Sequence, residues 1–165
     1  MHRLIKLDCA KADMQSIIKC KVVLKEKLFE RLSALQAKGH LIQLFDADAV
    51  IDQLHLKAAY ENALSSFDEG TNISRSVAVE MLLFAAFTTQ IGEAVKLAGF
   101  RNGSAVLFSA DEEGAKLLGK LVVPGGELGP GKNTAAIKRY GMEKIDPEKI
   151  DLEILTKMAE SRLGP

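Results

Sequence analysis

Asn72-Ile73-Ser74-Arg75-Ser76-Val77-Ala78-Val79-Glu80-Met81-Leu82-Leu83-Phe84-Ala85-Ala86 opens with polar residues suited to capping. It then runs apolar on every side around a single carboxylate, Glu80. A helix that is apolar all round is buried at a domain centre, and this run is too short to cross a bilayer. The sequence therefore predicts a core helix from about Ser74. An Arg-bearing polar lip would sit at its mouth, where free backbone N–H groups attract anions. The plainer alternative is an ordinary capped core helix with a surface arginine.

Upstream of this helix, Asp52 is an N-cap candidate for a segment carrying Leu56, Tyr60, Ala63 and Phe67 on one face, with Gly70 as its stop. Before it, Leu41-Ile42-Gln43-Leu44-Phe45 reads as a short strand. Leu24, Leu28, Leu32 and Leu35 form a helical stripe ended by Gly39. A helical region opens at Asp13 and breaks briefly near Val22-Val23-Leu24. Residues 3–9 alternate as a half-buried strand, with Ile5, Leu7 and Cys9 on one face.

Downstream, Thr88 or Thr89 caps a helix with Ile91, Ala94, Val95 and Ala98 inward. Ala105-Val106-Leu107-Phe108 is a buried strand, and Ser109-Ala110-Asp111-Glu112 is a capping box for a helix over 110–120. Residues 124–131 read as a Gly/Pro loop, and 132–140 as a short helix stopped by Gly141. Asp146-Pro147 starts a final helix with Leu152, Leu155, Met158 and Ala159 inward. Together these elements predict an α+β fold in one domain over residues 1–165. It would hold a small mixed β-sheet of three to four short strands packed with about seven helices.

The 165 residues carry 22 basic and 22 acidic side chains, so no whole-protein field draws in nucleic acid or membrane. The charge is uneven: nine Lys/Arg against four Asp/Glu in 1–40, then one lysine against six acids in 41–70. A local basic face on the N-terminal third is one reading, and solvated helix lysines are the other. Cys9 and Cys20 offer no CxxC and no zinc spacing. They read as buried thiols of a cytoplasmic protein, and the N-terminus shows no long apolar signal segment.

One loop invites an enzymatic reading. Gly126-Glu127-Leu128-Gly129-Pro130-Gly131-Lys132 has P-loop spacing, which gives the alternative of a small nucleotide-binding protein or enzyme. The pattern is incomplete. Asn133 stands where a magnesium-binding hydroxyl belongs, and Thr134 falls one residue late, about 100° round a helix. Pro130 removes a cradle N–H. The histidines His2, His40 and His55 are scattered, and His55 lies off the inward stripe, at the surface or its boundary. Asp46 and Asp48 suit turn capping. Glu80 alone has a setting that could raise a carboxyl pKa, unless a hydroxyl or arginine pairs it. No catalytic residue, metal ligand or cofactor site is predicted.

Several segments in order carry a family resemblance: His55-Leu56, Ala58-Ala59-Tyr60-Glu61-Asn62-Ala63, Asn72-Ile73-Ser74-Arg75-Ser76, Val79-Glu80-Met81-Leu82-Leu83 and Gln90-Ile91-Gly92-Glu93-Ala94. The chain resembles the small non-catalytic subunit of the KEOPS (EKC) complex, archaeal-type, whose eukaryotic relative is the PRPK-binding protein. The likeness covers about residues 41–109 well and 132–165 loosely.

The resemblance implies a regulatory subunit in tRNA threonylcarbamoyl-adenosine modification. Such a subunit binds and stimulates a kinase-like ATPase, holds tRNA by its 3′ CCA end, and leaves the chemistry to another protein. No cofactor and no membrane partner are expected from the residues. On this chain, tRNA contact is expected at the lip residues Asn72, Ser74 and Arg75, extended by His55, Lys57, Arg3 and Lys6. The kinase is expected on the C-terminal helix through Ile154, Leu155 and Met158. The plainer reading of Ile154 is a core residue.

Overall fold

The sheet lies between two apolar layers. A computed structural model of the chain describes residues 16–23, 25–101 and 103–163. Strands β1 (Ser16–Val22), β2 (Ile42–Asp46), β3 (Ser104–Ser109) and β4 (Val122–Glu127) form one sheet in the order β2-β3-β1-β4. Every pairing is antiparallel, so the sheet is not the mixed one expected.

One layer packs Phe45, Val106, Phe108 and Ile17 against α2 (Gln53–Glu69), α3 (Val77–Ala85) and the inner side of α7 (Ile150–Leu163). The other packs Cys20, Ile42, Leu44, Leu107 and Val122 against Leu28, Leu32 and Leu35 of α1 (Lys25–Ala37). Shorter helices α4 (Ile91–Leu97), α5 (Glu112–Leu117) and α6 (Thr134–Arg139), with 3-10 turns at Ala47–Ala49, Gly119–Leu121 and Pro147–Lys149, complete the described elements. The α+β reading is thereby met.

Much local punctuation is where the sequence puts it. Gly39 and Gly70 take positive φ of 93° and 70° at helix ends, the left-handed conformation that glycine adopts without penalty. The Asp52 side chain accepts the His55 N–H, and Asp146 accepts that of Glu148. Asp46 caps its own turn by accepting from Asp48 N–H. Leu28, Leu32 and Leu35 are buried as predicted, while Leu24 lies outside the described residues, as do the 3–9 strand and Cys9.

Other expectations are corrected. The helical region expected after Asp13 is strand β1 over Ser16–Val22. Ile18, Cys20 and Val22 alternate with the exposed Lys19 and Lys21, a period of two. Residues 122–127 are not a loop but edge strand β4. An edge tolerates Pro124. Helix α4 buries only Ala94 and its cap Ala98, leaving Ile91 and Val95 about half exposed at 46% and 49%. Helix α3 starts one turn later than expected, capped by Ser76. Asp111, not Ser109, caps α5 through the Gly114 N–H.

Candidate partner face and nucleic-acid lip

The lip ahead of α3 already holds an anion, and that anion is the chain's own. Glu80 is fully buried. Its carboxylate accepts the Ile73 N–H at 3.1 Å and the Ser74 N–H at 2.7 Å. Arg162, in the last turn of α7, places Nη1 2.8 Å from Oε1, with its guanidinium 3.9 Å above the centre of the Phe84 ring. Burial alone would raise the carboxyl's pKa. The backbone donors and the arginine outweigh it and hold Glu80 below the ordinary carboxylate range. Of the two sequence readings of Glu80, the arginine-paired one is found.

This changes what the lip presents. The Ser74 side chain is buried and donates to the Ser76 carbonyl at 2.8 Å. Asn72 turns its amide to the Ser74 carbonyl at 2.9 Å. Arg75 and Ile73 remain exposed. Lys57 is exposed near the start of α2, whereas Asn72 follows its end. Twelve residues of helix between Lys57 and Glu69 span about 18 Å at ~1.5 Å each, so Lys57 and the lip sit apart. Arg3 and Lys6 lie outside the described residues.

His55 corrects the sequence reading most plainly, because it is wholly buried. Its Nδ1 accepts the Ile51 N–H at 3.2 Å, so Nε2 carries the proton and donates to the Ala85 carbonyl at 2.9 Å. The ring stacks on Phe87 and meets Tyr140 edge-on, at 5.3 and 5.7 Å between centroids. Burial pushes its pKa down to about 4 from the usual 6.5. The bond to Ala85 and the Asp52 charge oppose this only in part. A neutral histidine enclosed this way ties α2 to the end of α3 and offers nothing to RNA.

Helix α7 is apolar on both sides. Ile150, Ile154 and Met158 face the body and are buried. Leu152 and Leu155 face outward at 65% and 45% exposure, with Ala159 continuing the exposed row. Of the expected partner residues, then, Leu155 is available, while Ile154 and Met158 are core. The expected inward Leu152, Leu155 and Ala159 are the outer face. Both rows have regular helical spacing, so periodicity alone does not choose between them. Leu152 is an exposed residue that the sequence reading assigned to the inward side.

The lysine of the P-loop-spaced segment is placed among carboxylates. Lys132 Nζ donates to Asp52 at 2.6 Å and also pairs with Asp151, joining α2 to α7. Burial alone would lower its pKa, but the two carboxylates reverse this and raise it. Asn133 caps α6 by accepting from Ala135 N–H. The strand before the loop is antiparallel to its neighbour, and the lysine is committed to carboxylates. Among the described residues, no group of His, Cys, Asp or Glu is arranged to hold a metal ion, and no helix is long and apolar enough to cross a membrane.

An outward apolar helix row on a domain with two internal carboxylate clasps suits a protein-binding module. The family model described as kinase binding protein CGI-121 matches residues 18–123, more than half of the chain. The chain belongs to this family. The match spans the lip, helix α3 and most of the sheet, from Ile18 in β1 to Val123 in β4, and the resemblance read from the sequence is thereby shown. Among curated proteins, none matches the chain. The CGI-121 match ends before α6 and α7, so the outer row of α7 is read from its exposure alone.

Proposed function

We propose that this chain is the non-catalytic subunit of a KEOPS-type complex. In that role it binds and stimulates a kinase-like ATPase and contributes to tRNA threonylcarbamoyl-adenosine formation by holding the tRNA 3′ CCA end. The observation that carries the reading is the CGI-121 family match. The exposed Leu152–Leu155 row supports it as the kinase contact, since an exposed apolar helix face is a common recognition surface. For RNA, the exposed Arg75 beside the α3 N-terminus is the best-placed charge of the lip.

Reconstitution tests both arms. The chain is expected to co-elute with the kinase-like ATPase and raise its turnover, and to bind intact tRNA more tightly than tRNA trimmed of CCA. Equal affinity for the two RNAs would remove the tail-binding part. Arg75→Glu is expected to weaken RNA binding and flatten its salt dependence, by about 0.7 in log–log slope for each single-strand phosphate that is no longer neutralised. Wild-type affinity in that variant would move the RNA site off the lip. The nucleotide-enzyme alternative predicts ATP turnover by the isolated chain that disappears in Lys132→Ala.

A further inference from the structure

Beside the start of α7 the edge of the core opens into an apolar socket. It is a cavity of about 530 Å³ between α6 and the turn that follows it, lined by Ile137, Met142, Ile145, Pro147 and Ile150. Met142 and Ile150 are buried side chains that still form part of its wall. Its volume is in the range of sites that enclose a whole ligand or an interface anchor, about 300–1,000 Å³. Ile150 is two residues before Leu152 on α7, so the socket lies at the same end of that helix as the outward apolar row but on a different face.

The charge around it is one-sided. Residues 143–153 carry Glu143, Asp146, Glu148, Asp151 and Glu153 against Lys144 and Lys149. Glu143 itself lines the cavity. The one cation in the wall, Lys132, is already paired with Asp52 and Asp151. An anionic ligand or an RNA strand would be repelled here. An apolar group flanked by positive charge would be drawn in.

Resting on the kinase-binding reading above, we propose that this socket receives an apolar side chain of the kinase partner, set between lysine or arginine residues. The outer row of α7 gives that partner a flat apolar contact. The socket gives it an anchor of the enclosed kind that carries most binding energy at interfaces. The acidic rim sets register and speeds encounter.

The test uses the full chain with its kinase-like partner. Glu143→Lys combined with Glu148→Lys changes the exposed lining residue Glu143 and the exposed Glu148 that follows the lining Pro147. It is expected to weaken the complex about tenfold at low salt, with the loss shrinking as salt rises. In parallel, the Met142 methyl signal, reporting from the socket wall, is expected to shift when the kinase binds. Wild-type affinity in the rim variant together with an unmoved Met142 methyl would overturn the socket. If Leu152→Asp with Leu155→Asp abolished the same complex, kinase binding would stand without the socket. A Met142 shift with tRNA and none with the kinase would also overturn the proposal. Failure of the wild-type chain to form any kinase complex would overturn both readings together.

Discussion

Glu80→Ala is expected to destabilise the protein by about 3–5 kcal/mol, the cost of removing one partner from a buried ion pair. The loss has two sources. Arg162 would be left with its guanidinium against Phe84 and no carboxylate. The Ile73 and Ser74 N–H groups would lose the acceptor that folds the lip over α3. Arg162→Ala is expected to cost less, because Glu80 would keep both backbone donors. Arg75→Glu, at an exposed site, is expected to stay within about 0.5 kcal/mol of the parent. Urea unfolding of the three variants measures this order. A Glu80→Ala protein within about 1 kcal/mol of wild type would mean that the clasp does not hold the lip.

Acid is expected to destabilise the fold in two stages. The unfolded chain protonates His55 near pH 6.5, whereas the folded chain resists until about pH 4. Stability from this group is therefore complete above about pH 6.5 and falls as pH drops towards 4. At ~1.36 kcal/mol per pKa unit, the loss over that window is about 3 kcal/mol. Glu80 adds a second loss lower down. Its folded pKa is depressed, so its contribution is present above the ordinary carboxylate value of 4.5 and disappears as pH falls through the folded value. Urea midpoints at pH 7, 5.5 and 4.5 measure the first stage. His55→Gln is expected to be weaker at pH 7 and nearly flat across that window. A variant as pH-sensitive as the parent would assign the acid response to other groups.

The sequence made the frame legible where local chemistry and burial agree. The α1 leucine stripe, strands β2 and β3, the Asp52 cap and the Gly39 and Gly70 stops all depend on neighbours within a turn or two. It failed where a long-range partner decides. β1 is held between β3 and β4, and β4 pairs with β1 across about a hundred residues of chain, so their Lys- and Gly-rich strings read as helix and loop. His55 shows no apolar signature of its own. Its burial comes from Phe87 and Tyr140, which only the fold brings together.

The candidate site was legible in part for the same reason. Glu80 stood out as a carboxylate needing a partner, but Arg162 lies eighty-two residues away and nothing local names it. On α7 the sequence showed two apolar rows and could not orient them. Placing Ile154 inside makes Ile154→Asp a test of stability and leaves Leu152 and Leu155 as the exposed leucines of the first half of α7. The Gly126–Lys132 spacing was a motif without its fold context, and Lys132 turned out to be a clasp between α2 and α7.

The most direct test of the kinase-binding account is a titration of the kinase-like ATPase with the wild-type chain and with Leu152→Asp combined with Leu155→Asp. Both side chains are largely exposed, so the variant is expected to unfold at nearly the wild-type urea midpoint. Setting two carboxylates against an apolar partner surface costs about 1–3 kcal/mol each, so the folded variant is expected to lose about a hundredfold in affinity together with its stimulation of the ATPase. A folded variant that binds and stimulates like wild type would contradict the assignment of the kinase to the outer face of α7.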